Sequence, residues 1–425
     1  MFKPVKCGLV GAVTWAALCA LAVRAESLSA LPGDSVESLL ALARQQSPEV
    51  IVLRLEADAA RERAAASGAL PDPTARIEWR DFTNEMAGGG ASLLPARVGS
   101  TKYTLIQPLP WWGKRDLKRA AAEAEAEAAS AVGDAGWLEL AARIKAAHAL
   151  DYALSRQLAL ARELASLLDQ LEAISRNRYA HGLVPQQDAI RARVERTALH
   201  GEIVQTENDL HHARVRINGL LARPAHAPLA EPRAPRAVPV KVDHAELSER
   251  LRARNPGLFA DEARIRAAER NRDATYRNRY PDLALGISPI QTRSRVSEWE
   301  LMLEVSIPLQ QGSRRSQERE AERMLEAARA RRDAGANRLL TELAENVSAL
   351  EAARRIERLS RGELLPQAEL TFQAALAGYE NGKVDFATLL DAQRQIRRAK
   401  QDVIKAQAEQ QMRLAEIEKL VGEDL

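Results

Sequence analysis

The sequence predicts a mainly α-helical chain with a small β part, in which four short strands lie between long helices and the whole order occurs twice. Two turns carry the first part of that reading. Arg178-Tyr179-Ala180-His181-Gly182-Leu183-Val184 and Gly378-Tyr379-Glu380-Asn381-Gly382-Lys383-Val384 share Tyr-x-x-Gly-x-Val, with tyrosines, glycines and valines each 200 positions apart. Each turn sits between Ala- and charge-rich segments and reads as the tip of a long helical hairpin. Glycine supplies the positive φ that ends a helix, and Pro185 restarts one at its first turn. Composition carries the second part: only 4% of residues are aromatic, while Ala, Arg, Leu and Glu dominate. That suits long helices with narrow interfaces rather than a large globular interior. Four short segments with a period of two supply the third part.

Charge and chemistry exclude several classes. The net charge is +3, with signs interspersed along the helices. No basic cluster with a groove-reading element is present, so nucleic acid is not an expected partner. No nucleophile–base–acid set and no phosphate-cradling glycine loop is found, and no enzymatic activity or cofactor is expected. His211 and His212 point to different faces of a helix, His181 lies in a turn, and no histidine set makes a metal site.

Residues 1–25 read as a secretory signal. Lys3 and Lys6 precede an apolar run, and Val23-Arg24-Ala25 offers a small-residue cleavage site. Both cysteines, Cys7 and Cys19, fall inside it. Leu18 is a poor fit to a lipoprotein site, so simple cleavage is preferred, and the mature chain then has no disulfide or thiolate metal site.

In order, 35–66 is expected to be helical with an interruption at Pro48. In 74–82, Ala75, Ile77 and Trp79 alternate with Arg76, Glu78 and Arg80 as a strand with one wet face. Gly88-Gly89-Gly90 marks a loop, and 101–107 a second strand with Tyr103 and Leu105 on one face. Residues 114–178 form one helix, roughly 100 Å at 1.5 Å per residue. After the Tyr179 turn, 186–221 returns. A Pro-rich connector at 223–242 separates a first repeat, 26–222, from a second, 243–425. There 243–279 is helical with Asn255-Pro256 placed like Ser47-Pro48. Leu283, Leu285 and Ile287 alternate in a third strand, and Trp299, Leu301, Leu303 and Val305 alternate with acids in a fourth. Residues 314–378 form the second long helix, disturbed near Gly362 and Pro366, and 385–421 returns.

Four strands with one apolar and one charged face cannot close a barrel alone. Three chains together supply twelve, within the range of membrane barrels. Ile77, Trp79, Tyr103, Trp299, Leu301, Leu303 and Val305 then face lipid. A homotrimer is therefore expected, either inserted in this way or as a non-conducting scaffold with a helical stalk. Patchy heptads argue against a solid coiled coil.

Taken together, the repeat, Tyr379-x-x-Gly382 followed by Leu389-Leu390-Asp391-Ala392-Gln393, Tyr179-x-x-Gly182 with Asp188-Ala189-Ile190, and Gln107-Pro-Leu-Pro-Trp-Trp-Gly113-Lys-Arg resemble the TolC-like outer membrane factors over nearly all the mature chain. The Pro108–Arg115 segment is most similar to the heavy-metal (CzcC-like) branch. The resemblance implies a trimeric 12-stranded barrel in the outer membrane continued by a periplasmic α-barrel. It implies a passive efflux duct fed by an inner-membrane RND pump through a periplasmic adaptor, with heavy-metal cations as first cargo and drug efflux or type I secretion as alternatives. It places Tyr179, Gly182, Val184, Tyr379, Gly382 and Val384 at an adaptor-docking tip. Asp391 matches a pore-facing family position; with Asp188, and with Arg178, Arg191 and Arg394 as latches, it makes the expected gate.

Overall fold

The computed structural model describes residues 31–83, 85, 90–238 and 243–425. The expected signal segment with Cys7 and Cys19, Gly88 and Gly89, and the connector's end at 239–242 lie outside the described residues. The order is α1 (Val36–Gln46), α2 (Pro48–Ser67), β1 (Thr74–Arg80), β2 (Ser100–Leu109), α3 (Lys114–Ala180) and α4 (Gln186–Leu220). It continues with α5 (His244–Arg254), α6 (Pro256–Arg277), β3 (Asp282–Thr292), β4 (Arg295–Ser306), α7 (Gln311–Leu359), a π-helical turn (Ser360–Leu364), α8 (Leu365–Glu380) and α9 (Phe386–Val421).

The helix breaks have local causes. Pro48 and Pro256 stand in the first turn of α2 and α6, where their missing N–H costs nothing. Asn255 does more than Ser47. Its Oδ1 accepts from the Leu258 amide at 3.1 Å, and its Nδ2 donates to the Leu420 carbonyl at 2.8 Å. The disturbance expected near Gly362 and Pro366 is the π-helical turn. Proline at 366 cannot bond the carbonyl four residues back, at Gly362, and one residue of extra slack relieves the clash.

Two compact units result. The first takes residues up to Gln45, Ile144–Ala237 and Ser360–Ala408. Leu164, Leu168 and Leu171 of α3 recur at helical spacing and pack with Leu199 of α4, Phe372 of α8, and Phe386 and Leu389 of α9. The second takes Gln46–Arg143, Val238–Leu359 and Glu409–Leu425. Leu247, Leu251 and Leu258 meet Leu343, Val347 and Leu350 of α7 and Ile417 and Leu420 of α9. Where α2 meets α3 the contact is Ala60, Ala64 and Ala126, which lets the helices approach closely. No helix among the described residues is long and apolar enough to cross a membrane.

The second unit also holds one sheet, ordered β1-β2-β3-β4 and antiparallel throughout. The register aligns Ala75 with Leu105, Leu105 with Ile287, and Ile287 with Leu301. Since side chains alternate along a strand, this fixes one apolar and one polar face. Among the described residues β1 and β4 have no second neighbour, so each presents a free row of backbone groups.

Gly422 tests how tightly the second unit closes. Its φ is +86°, and a Cβ there would lie 2.9 Å from the Arg254 carbonyl oxygen. Gly182, at φ +68°, faces open space. Left-handed backbone costs a non-glycine residue about 1–2 kcal/mol. Gly182→Ala should lose only that, and Gly422→Ala distinctly more, in thermal unfolding of the full chain followed by circular dichroism. Equal losses would show that Gly422 does not sit against Arg254.

Candidate functional site

Two places in the chain carry features that ordinary packing does not require. The first is the pair of turns in the first unit. Both close with the same bonds. The Gly182 amide donates to the Tyr179 carbonyl and Leu183 to Arg178, at 2.9 Å each; Gly382 donates to Tyr379 at 3.0 Å and Lys383 to Gly378 at 2.8 Å. This is the Schellman pattern, and it needs the left-handed residue that each glycine provides. Val184 and Val384 fold back as partly buried residues. Val384 lies over Gly378, where a Cβ would be only 3.0 Å from its Cγ2.

The two tyrosines part company. Tyr179 is 44% exposed, but Tyr379 only 2%. The Tyr379 ring packs on Phe386, 5.4 Å between centroids. The Arg178 guanidinium lies 5.0 Å above it, a cation–π distance. Tyr379 is thus a buried wedge within its turn. Arg178 also bonds backbone oxygens of the second turn. Its Nη1 donates to the carbonyls of Tyr379 (2.9 Å) and Glu380 (2.8 Å), holding the negative end of α8.

The acids separate too. Asp391 is exposed, with 68% of its side chain free, and Arg394 lies 3.5 Å away one turn on. Asp188 is only 5% exposed. Burial pushes its carboxyl up, Arg191 lowers it, and Asp385 raises it. Asp385 itself caps α9, accepting from the Thr388 amide at 3.0 Å and from its hydroxyl, and these bonds hold its carboxyl low. Arg394 turns instead to Glu195 with two bonds, at 3.1 and 2.5 Å. Arg397 reaches Glu202 at 3.0 Å and Gln401 reaches it at 2.8 Å. This ladder from α9 to α4 joins residues about 200 positions apart, and no local motif announces it.

The second place is the apolar face of the sheet. Ile77, Trp79, Trp299, Leu301, Leu303 and Val305 stand on it with large exposed areas, 82% for Leu301. Tyr103 shares it, its hydroxyl donating to Gln291 Oε1 at 3.2 Å. Leu105, Leu285 and Ile287 extend it and are equally uncovered. On the opposite face the Ser288 hydroxyl donates to Thr104 Oγ1 at 2.9 Å, and Lys102 pairs with Glu300. β2, β3 and β4 have 10, 11 and 12 residues, the length that a tilted strand needs to cross a bilayer. A face so apolar and so large on a water-facing sheet is rare unless something covers it.

Residues 247–423 match the family model described as outer membrane efflux protein. The resemblance to the outer membrane efflux proteins stands. The fold agrees over more than nine-tenths of the chain. The structure of CusC, described in connection with transmembrane channel formation, superposes with a TM-score of 0.78 at 17% identity, covering 92% of each chain. The outer membrane protein VceC of Vibrio cholerae gives 0.76 at 16%, covering 92% of this chain and 96% of that one. The MtrE outer membrane channel of Neisseria gonorrhoeae, in its open state, gives 0.74 at 16%, covering 93% of each. No curated protein matches the chain significantly. The outer membrane efflux family is one of transport components without catalytic activity. Among the described residues no group of three or more His, Cys, Asp or Glu side chains is arranged to hold a metal ion.

The ladder gives a pH prediction. Hydrogen bonds from Arg394 hold the Glu195 carboxyl below its ordinary value, against burial. Its stabilisation is therefore full above the ordinary glutamate range and is lost as pH falls through the lowered value. Glu195→Gln should cost about 1–3 kcal/mol near neutral pH, toward the low end because Arg394 is partly solvent-screened. Asp188 has the opposite sign: its raised carboxyl makes the fold gain stability as pH falls through that value, and Asp188→Asn should remove this gain. Melting curves of the full chain across the acid range check both. A Glu195→Gln deficit that persists at low pH would contradict the pairing.

Proposed function

We propose that this chain is one of three identical subunits of a passive export duct in the outer membrane. The observation that carries the reading is the open four-stranded sheet, with a bare apolar face and two unpaired edges. Three copies joined β4 to β1 give a closed twelve-stranded barrel, which satisfies every edge and turns the apolar face to lipid. The family match and the fold support the placement.

The long helices continue the duct into the periplasm, and the Tyr-x-x-Gly turns are its docking tip. Tyr179, Gly182, Val184, Gly382 and Val384 offer backbone and small side chains to a periplasmic adaptor, while Tyr379 holds the tip together from inside. An inner-membrane pump of the RND class supplies the energy, and a signal segment at 1–25 directs export. Asp391, exposed beside Arg394, becomes a ring of three acids under three-fold symmetry, and such a ring attracts cations. Asp188, Arg178 and Arg191 complete the gate. Heavy-metal cations are the cargo we place first. Weak attraction, rather than chelation, is what a conduit needs in order to release what it carries.

Gly382→Glu tests the tip. Only Arg178 Nη2, at 3.8 Å, is near a Cβ built there, so the longer side chain has room. Efflux in cells should fail while trimers still assemble; a variant that cannot assemble would make the turn structural only. For the acid ring, single-channel recordings of Asp391→Asn should show weaker preference for cations over anions. Unchanged ion selectivity would remove Asp391 from the conduction path.

A further inference from the structure

One end of the sheet carries a second set of uncovered groups. The register pairs Leu109 with Leu283 and Leu283 with Val305, so the segments after β2, before β3 and after β4 all meet there. Trp111 stacks on Tyr280, 5.4 Å between centroids and 5° between planes. Trp112 meets Trp111 edge-on at 4.8 Å and is left 69% exposed. Ile307 and Leu309, which prolong β4 past this end, are also exposed. These residues are not the barrel strands themselves. They continue the apolar face to where the helices begin.

Cations adjoin them. Lys114 is spoken for: it pairs with Asp282 at 2.8 Å and donates to the Tyr280 carbonyl at 3.2 Å. Arg277 is not. Its guanidinium lies 3.6 Å from where a Gly113 Cβ would stand, and among the described residues its Nη1 reaches only the Trp112 carbonyl, at 3.5 Å. Lys118 stands one turn beyond Lys114, and Arg315 follows Arg314, whose Nη1 holds the Asn278 carbonyl. Arg277, Lys118 and Arg315 are exposed, and none has a carboxylate within ion-pair distance among the described residues. An exposed indole beside unpaired cations, at the margin of an apolar face, is the chemistry of a membrane–water boundary. The ring sits at headgroup depth, and the cations attract phosphate.

We infer that this collar seats the headgroup of an anionic phospholipid, a phosphodiester of net negative charge such as phosphatidylglycerol, where the strands give way to helices. Trp112 packs on the glycerol and upper acyl region, and Arg277 binds the phosphate. The inference rests on the reading of the sheet as lipid-facing. It adds that the boundary selects lipid by charge.

The test uses the full chain extracted from outer membranes in mild detergent. It is offered phosphatidylglycerol and phosphatidylcholine with the same acyl chains, in equal amounts, and the retained lipid is weighed by native mass spectrometry. Conductance in a planar bilayer is recorded from the same preparation. The chain should retain phosphatidylglycerol preferentially. Arg277→Gln should lower that preference about fivefold, the effect of one cation at an anionic surface, and Arg277→Lys should keep it. Trp112→Ala should lower retention of both lipids. Equal retention of the two lipids by the native chain overturns the inference, as does an unchanged preference when Arg277, Lys118 and Arg315 are all replaced by Gln. Conductance without lipid preference sinks the collar and leaves the duct standing. Lipid preference without conductance does the reverse. Loss of assembly in the variants, with no lipid preference in the native chain, assigns the collar to contact between copies.

Discussion

Backbone hydrogen bonding at the sheet edges constrains everything else. Among the described residues β1 and β4 each leave one side of the ladder unpaired, and the four strands carry leucine, isoleucine and tryptophan on an uncovered face. In water such a sheet invites aggregation through its edges and pays for exposed apolar area. In a membrane an open edge is worse, because no water satisfies the freed N–H and C=O groups. Closure with further copies of the same sheet, as proposed above, would settle both problems at once.

The two turns show how near-identical local sequences diverge through their neighbours. Both glycines adopt the left-handed conformation, and both turns make the same pair of bonds. Yet seven residues after the tyrosine the second turn has Phe386, where the first has Gln186. Phe386 is fully buried and draws Tyr379 inward, while Tyr179 keeps almost half its surface free. Gly378, opposite Arg178 in the pairing of the two turns, makes room for Val384. Arg178 then caps the carbonyls that the second turn leaves exposed. The second turn is thereby the more tightly packed of the two.

Much of the architecture was legible in residue spacing. The alternation from Trp299 to Val305 is plain, Pro48 and Pro256 break helices as proline must, and Gly362 with Pro366 marks the π-helical turn. The candidate site was less legible. Asp188 and Asp391 look alike as helix-surface acids, but packing around the α9 start buries the one and frees the other. Glu195 with Arg394, and Glu202 with Arg397, pair across two helices from distant parts of the chain, which no short-range pattern encodes. A comparison of Phe386 with Gln186 was the one available hint that the two tyrosines differ.

The decisive quantity is the mass and membrane behaviour of the chain. The chain, extracted from cell envelopes in mild detergent, is weighed and then added to a planar bilayer. A mass of three chains, with stepwise ion conductance, is the expected result, because only closure of the sheet edges makes both possible. A water-soluble monomer that neither inserts nor conducts would mean that the four strands are completed in some other way.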